Sequence, residues 1–144
     1  MLFRSARALQ TWSIEPGDRI AAYVPNVPES VIGALAAASV GAIWSSCSPD
    51  FGVQGVLDRF GQIEPRILIG ADGYTYGGKR FDRLSTLADV AGALPSVERT
   101  LIIPYLEDAP DLSPLSGALL FDDVLSDHAG DSIEFAQLPF DHPL

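Results

Sequence analysis

Short apolar runs alternate with helix-forming segments along most of this 144-residue chain, and this alternation constrains the fold more than any other feature. Each run is bounded by glycine, proline or charged residues, as is typical of buried strands. Strands that alternate with helices over short connections form parallel sheets with right-handed crossovers. The sequence therefore predicts an α/β fold, a parallel sheet with helices on both faces. The predicted strands are Arg19–Val24, Ala42–Ser46, Arg66–Gly70 and Thr100–Ile103.

The segments between these runs carry helix signals. Pro28 stands in the first turn of one segment, and Gly41 follows its end. Beyond Arg80, apolar residues recur at intervals of three and four, which indicates an amphipathic helix. We predict helices over 28–40, 52–63, 80–94 and 118–126, and the end of a further helix at 7–11.

Charge and proline content divide the chain into three parts. Residues 1–15 are predicted to be the remnant of a preceding helix, and residues 16–106 to form the α/β unit. Residues 107–144 carry nine acidic residues, no Lys or Arg and four prolines, so they are predicted to form an acidic, irregular tail.

Composition excludes several classes of function. The net charge is −10 and no basic residue follows Arg99, so nucleic acid is not an expected partner. No apolar run approaches the roughly 20 residues of a membrane-spanning helix, and no membrane partner is expected. Cys47 is the one cysteine and cannot form an internal disulfide, which favours a cytoplasmic location.

Two polar loops follow neighbouring predicted strands. Ser45–Asp50 follows the second strand, and Gly73–Lys79 follows the third. Because the carboxyl ends of parallel strands meet at one edge of a sheet, where ligands usually bind, the loops are expected to share a surface. Their glycines and cations favour an anionic ligand.

The second loop is close to a phosphate-binding loop but does not match it. Gly73 to Lys79 fits G-x-x-x-x-G-K, yet Arg80 stands where that motif needs a Ser or Thr to hold magnesium. A nucleotide-hydrolase loop is therefore not predicted. Two interpretations stay open: an anion site with Lys79 and Arg80 at the start of a helix, or a glycine-rich turn without a ligand.

Other catalytic patterns are weak. Both histidines, His128 and His142, lie in the tail, so Cys47 is interpreted as a small buried residue and not as a nucleophile. Asp122 and Asp123 precede His128 with spacing too loose to predict a metal site. No G-x-G-x-x-G fingerprint occurs, which argues against a nicotinamide enzyme. No catalytic residue is predicted within the chain.

Several longer motifs carry a family resemblance. The chain resembles acetoacetyl-CoA synthetases, which belong to the AMP-forming acyl-CoA synthetase superfamily of adenylate-forming enzymes. The resemblance is most specific around Trp44–Gly55 and Gly73–Arg80, and it returns in Pro139–Leu144, whereas Leu2–Ser5 matches no family pattern and is expected to be foreign to it. The supporting motifs are Pro16–Arg19, Pro25–Glu29, Ala38–Gly52, Ala71–Tyr74 and Tyr76–Arg80.

The resemblance implies a flavodoxin-like subdomain of a larger ligase. In that family acetoacetate attacks ATP to give an acyl adenylate and pyrophosphate, and the thiol of CoA then displaces AMP. A Pro-Phe-Asp-His-Pro-Leu run such as Pro139–Leu144 leads into the loop that cradles the ATP phosphates, and the Mg2+ ligand and acyl pocket follow that loop. The resemblance therefore implies an incomplete domain that is inactive alone, with the remainder of the ligase domain as its partner.

The resemblance also implies a site for the CoA nucleotide. Related acetyl-CoA synthetases contact this nucleotide from the two loops described above, at positions that correspond here to Ser48, Pro49 and Asp50 and to Tyr76 and Lys79. Asp50 stands where a glycine is usual, and Tyr76 where an arginine is usual.

Two of these residues have an expected chemical role. Lys79, aided by Arg80, is expected to meet the 3′-phosphate of CoA as a point charge. Tyr76 is expected to stack on adenine. The alternative is a non-catalytic α/β binding or interaction module, because a shared fold does not establish a shared function.

Overall fold

A computed structural model describes residues 1–130 and 132–144 of the chain. In chain order, the described residues form α1 (Leu2–Thr11), β1 (Arg19–Tyr23), α2 (Pro28–Ser39), β2 (Ile43–Cys47), α3 (Val53–Phe60), β3 (Ile67–Ala71), β4 (Gly73–Tyr76), β5 (Lys79–Asp82), α4 (Leu84–Gly92), β6 (Arg99–Ile103), β7 (Leu119–Leu120) and α5 (Phe121–Asp127).

Five parallel strands form the main sheet, in the order β2-β1-β3-β6-β7. Numbered by their succession in the chain, these strands are arranged 2-1-3-4-5, which is the flavodoxin-like order of doubly wound sheets. The predicted fold class, a parallel sheet with helices on both faces, is confirmed. The order reverses next to β1, so the loops that follow β1 and β3 diverge there and leave room for a ligand.

Each face of the sheet supports its own hydrophobic core. Because successive residues of a strand point to opposite faces, Ile20 and Ala22 of β1 join the core beneath α1, α2 and α5. Ala21 and Tyr23 of the same strand join the core beneath α3 and α4. Burial on both faces accounts for the continuous apolar runs that predict the strands.

A β-hairpin replaces the start of the helix that the sequence predicts from Arg80. Strands β4 and β5 pair antiparallel, and the turn residues Gly77 and Gly78 have φ angles of 57° and 75°. Positive φ at both positions is the requirement of a tight type I′ hairpin turn, and glycine meets it without steric cost. Helix α4 begins only at Leu84.

The sheet and its core extend beyond the unit predicted at residues 16–106. Helix α1 runs from Leu2 to Thr11, and its buried Ala6, Ala8 and Leu9 contribute to the first core. Strand β7 and helix α5, both from the predicted irregular tail, add the fifth strand and three further core residues. Among the described residues, no helix has the length and apolar content needed to cross a membrane.

Candidate functional site

A cleft of about 630 Å³ opens at the carboxyl edge of the sheet. Its walls come from residues 24–26 after β1, residues 46–50 at the end of β2 and beyond, residues 74–76 of the hairpin, and Ser30 of α2. These segments meet because β1 and β2 are parallel and end side by side, at Tyr23 and Cys47. The two loops singled out in the sequence therefore do share one surface.

Three of the predicted site residues, Ser48, Pro49 and Asp50, line this cleft directly. The Pro49 carbonyl oxygen is fixed from two sides, by the Tyr23 hydroxyl at 2.7 Å and by Nε of Arg83 at 2.7 Å. The Tyr23 hydroxyl also lies 2.6 Å from the carbonyl oxygen of Phe51. The backbone on either side of Asp50 is thus anchored to the body of the domain.

Tyr23 is suited to this anchoring role because it remains protonated. Its side chain is fully buried at the end of β1, and burial raises the pKa of Tyr23 to about 12. The hydroxyl is therefore a hydrogen-bond donor throughout the physiological pH range. A lone hydroxyl at the end of an otherwise aliphatic strand is the sequence signal that could have drawn attention to Tyr23.

Cys47 also borders the cleft but is not placed for nucleophilic chemistry. The residue is buried, and burial raises the pKa of its thiol to about 11, so very little thiolate exists near neutral pH. The interpretation of Cys47 as a small buried residue agrees with this geometry. Trp44 packs on the opposite side of β2, against Gly33 of α2 and the first core.

The hairpin places Tyr76 and Lys79 as partners across its strands. Tyr76 lines the cleft with 76% of its surface exposed, and Lys79 is its register partner on β5. Paired residues share a face of a hairpin, as the stacked rings of Tyr74 and Phe81 show at 5.0 Å between centroids. Lys79 therefore lies on the same hairpin face as the two tyrosines of the cleft wall.

Arg80 points to the other hairpin face and is engaged within the protein. Its guanidinium donates to the Leu106 carbonyl at 2.7 Å and forms an ion pair with Glu107. Neither Lys79 nor Arg80 lies at a helix N-terminus, because both belong to β5. The interpretation of these cations as an anion site at the start of a helix is therefore wrong. The reason is that Gly77 and Gly78 form the tight turn of a β-hairpin, so the residues that follow them continue as a strand and not as a helix.

Arg83 is a residue of the site that the sequence did not reveal. Its Nε reaches Pro49, a terminal nitrogen donates to the Tyr74 hydroxyl at 3.2 Å, and its guanidinium lies 5.1 Å from the centre of the Tyr74 ring. The side chain thereby joins the loop after β2 to the hairpin. The contact with Pro49 spans 34 residues, and local sequence carries no signal for it.

Metal ligation has no supporting geometry in the part of the chain that the structure describes. No group of three or more His, Cys, Asp or Glu side chains there could hold a metal ion. Asp122 and Asp123 lie in the first turn of α5, and the His128 ring contacts the Val124 carbonyl at 2.7 Å. The two acids thus occupy the first turn of a short helix, and the His128 ring contacts a carbonyl group of its last turn.

Comparison with known proteins identifies the family. A family model described as "AMP-binding enzyme" matches residues 2–129. The chain belongs to the AMP-binding enzyme family. This assignment accounts for the flavodoxin-like sheet as part of an adenylate-forming enzyme fold.

Individual relatives agree with the resemblance seen in the sequence. The chain is 48% identical to the acetoacetyl-coenzyme A synthetase of Rhizobium meliloti, an alignment that covers 100% of this chain and 22% of that protein. It is 43% identical to the acetoacetyl-CoA synthetase of Rattus norvegicus, over 96% of this chain and 21% of that protein. The resemblance to acetoacetyl-CoA synthetases is confirmed.

A solved structure supports the same fold. The acetoacetyl-CoA synthetase from Streptomyces lividans matches with a TM-score of 0.86 and 41% sequence identity, over 98% of this chain and 22% of that one. The chain thus spans about a fifth of the length of the AMP-binding enzymes it matches.

Proposed function

We propose that this chain is part of an ATP-dependent acetoacetate–CoA ligase and that its cleft holds the nucleotide end of CoA. The observation that carries the proposal is the convergence of Ser48, Pro49, Asp50 and Tyr76 on one cleft, with Lys79 on the hairpin face beside it. The names of the relatives supply the product, acetoacetyl-CoA. The resemblance implies the two steps, acyl adenylation with ATP and transfer of the acyl group to CoA.

The chemistry of the cleft suits a nucleotide. Tyr76 offers an exposed aromatic face for stacking, and backbone and hydroxyl groups of Ser46 and Ser48 offer hydrogen bonds. Lys79 supplies a compact positive charge for a phosphate at the rim. Arg80 contributes indirectly, because its contacts with Leu106 and Glu107 support the base of the hairpin.

The chain's own contribution to the reaction is to bind and orient CoA. ATP and Mg2+ serve the adenylation half of the reaction, and the resemblance assigns the residues that handle them, as well as the acetoacetate pocket, to sequence that follows Leu144. The proposal places this activity in the cytoplasm, because the one cysteine is a buried free thiol.

The 144-residue protein alone is expected to be inactive, because the residues of the adenylation half lie outside it on this proposal. Purified protein mixed with acetoacetate, ATP, Mg2+ and CoA should release no pyrophosphate above the enzyme-free rate. A full-length acetoacetyl-CoA synthetase serves as the positive control. Acetoacetate-dependent pyrophosphate release from the purified chain would contradict the expectation.

Lys79→Ala in the full-length enzyme is expected to raise the KM for CoA about tenfold. Loss of one charge-assisted contact costs about 1–2 kcal/mol. Adenylate formation, measured by acetoacetate-dependent pyrophosphate exchange, should stay unchanged because Lys79 does not contact ATP on this proposal.

The neighbouring Arg80→Ala is the matched comparison for Lys79→Ala. It removes the same charge from the opposite face of β5 and should change the KM for CoA less. An unchanged KM for CoA in Lys79→Ala, or a larger change of this KM in Arg80→Ala, would contradict the assignment of Lys79 to the CoA site.

A non-catalytic binding or interaction module is the second candidate. It is favoured by the presence of a packed core on each face of the sheet, which is a property of units that fold on their own. The coding sequence distinguishes the candidates. Continuation past codon 144 into a Ser/Thr/Gly-rich loop supports the ligase, and a stop codon there supports the module.

A further inference from the structure

The starting observation is the unusual position of Asp50. It is an exposed carboxylate within a cleft proposed to receive a polyanionic nucleotide. The carbonyl oxygens of Pro49 and Phe51, on either side of it, share the one proton of the buried Tyr23 hydroxyl, and Arg83 also donates to the Pro49 carbonyl. The backbone therefore presents this carboxylate from a fixed position.

The carboxylate of Asp50 is also available to a ligand. In residues 1–130 and 132–144 it takes part in no ion pair and accepts no hydrogen bond, and the cation nearest to it in sequence, Arg59, lies over the Phe51 ring. An ionised carboxylate accepts hydrogen bonds and donates none. It therefore attracts the donor groups of a ligand and repels its phosphates.

We propose that Asp50 selects the adenine base by accepting a hydrogen bond from its exocyclic amine. This inference rests on the proposed function, because it concerns the same cleft. Tyr76 stacks on the face of the base and leaves the edge of the base free to meet Asp50. Repulsion from the carboxylate directs the phosphates toward Lys79, so the two residues together set the direction in which the nucleotide lies.

Two nucleotides that differ in this one group test the proposal. The probes are adenosine 3′,5′-bisphosphate, which has the amine, and purine riboside 3′,5′-bisphosphate, in which a hydrogen replaces it. Isothermal titration of the 144-residue protein should give about tenfold tighter binding of the adenosine compound, since sites built for a donor discriminate against ligands that lack it.

Asp50→Ala should bind the two bisphosphates with equal affinity within about twofold, and it should bind inorganic pyrophosphate more tightly than the wild type because a like charge is gone. Asp50→Asn should keep part of the preference, since its amide oxygen still accepts a hydrogen bond from the amine. Asp89→Asn removes an equal charge from an exposed position on α4 and should keep the full preference.

Each outcome decides the role of Asp50, the CoA cleft or both. Equal binding of both bisphosphates by the wild type overturns the role of Asp50 and leaves the CoA cleft standing. A preference that survives in Asp50→Ala does the same and assigns recognition of the amine to another residue. If neither bisphosphate nor CoA binds, both the role of Asp50 and the CoA cleft are overturned. Urea unfolding of each variant verifies that the fold is retained.

Discussion

The Asp72→Ala variant is expected to lose about 3 kcal/mol or more of the free energy of unfolding. Asp72 is 2% exposed, and its carboxylate accepts hydrogen bonds at 2.8–3.0 Å from the backbone N–H groups of Tyr105, Leu106 and Glu107. Removal of the carboxylate leaves these three donors without an acceptor, at a cost of about 1–3 kcal/mol for each donor that stays buried.

Substitution of Asp72 should also affect the cleft, because this residue joins three segments. It directly follows β3, its side chain fixes residues 105–107 after β6, and its carbonyl oxygen accepts from the Arg83 N–H at 2.8 Å. Arg80 also holds residues 105–107, because its guanidinium donates to the Leu106 carbonyl. Loss of Asp72 therefore loosens the base of the hairpin.

Urea unfolding followed by circular dichroism measures this prediction. Asp72→Asn should be intermediate, because one amide oxygen still accepts but the amide nitrogen faces other donors. Asp108→Ala is the matched control, since it removes an exposed carboxylate directly after the fixed segment and should change stability by less than about 0.5 kcal/mol. Equal unfolding midpoints for Asp72→Ala and Asp108→Ala would contradict the role of the buried carboxylate.

The main sheet was predictable from the sequence because its strands are buried on both faces. Strand β1 was predicted at Arg19–Val24 and observed at Arg19–Tyr23, and β3 was predicted one residue before its observed start at Ile67. Continuous apolar runs bounded by turn residues carry this signal locally. Parallel pairing then brings the ends of β1 and β2 together, so the position of Ser48–Asp50 in a cleft also followed from the sequence.

The hairpin was missed because two patterns compete in one segment. The apolar spacing that predicts a helix belongs to α4, which begins at Leu84, but in the sequence this spacing extends back to Phe81. A Gly-Gly pair between Tyr76 and Lys79 is a standard hairpin signal and outweighs that spacing. The glycine pair by itself predicts that Lys79 and Arg80 lie on the second strand of a hairpin.

Other parts of the site depend on contacts that local sequence does not encode. Arg80 reaches Glu107, 27 residues later, and Arg83 reaches Pro49, 34 residues earlier. Helix α5 was predicted at nearly its observed position, but its packing against α1 at the other end of the chain was not. These pairings are tertiary contacts, so short sequence patterns do not specify them.

The Gly73→Ala variant is expected to lose about 2–3 kcal/mol of stability by overpacking. A Cβ atom at Gly73 would lie less than 3.0 Å from the carbonyl oxygen of Phe81 and from the Leu106 side chain. Leu106 could rotate, but the Phe81 oxygen belongs to the partner strand of the hairpin. The strands β4 and β5 must therefore separate at their base to admit the methyl group.

Gly92→Ala is the matched control for this variant. No atom lies within 4 Å of a Cβ built there, at the last residue of α4, and alanine is favoured over glycine in helices by about 0.5–1 kcal/mol. The urea midpoint of Gly92→Ala should equal or exceed that of the wild type, whereas the midpoint of Gly73→Ala should fall.

Binding separates a local change at the hairpin from general destabilisation. Separation of β4 from β5 displaces Tyr76 and Lys79 from the cleft, so Gly73→Ala should bind adenosine 3′,5′-bisphosphate more weakly even in the absence of urea, where the protein is still folded. A normal affinity together with a lowered midpoint would show that the hairpin keeps its shape and that the cost falls on residues 105–107. Because the hairpin holds both the stacking ring and the cation of the proposed site, its base is the point at which stability and binding are coupled.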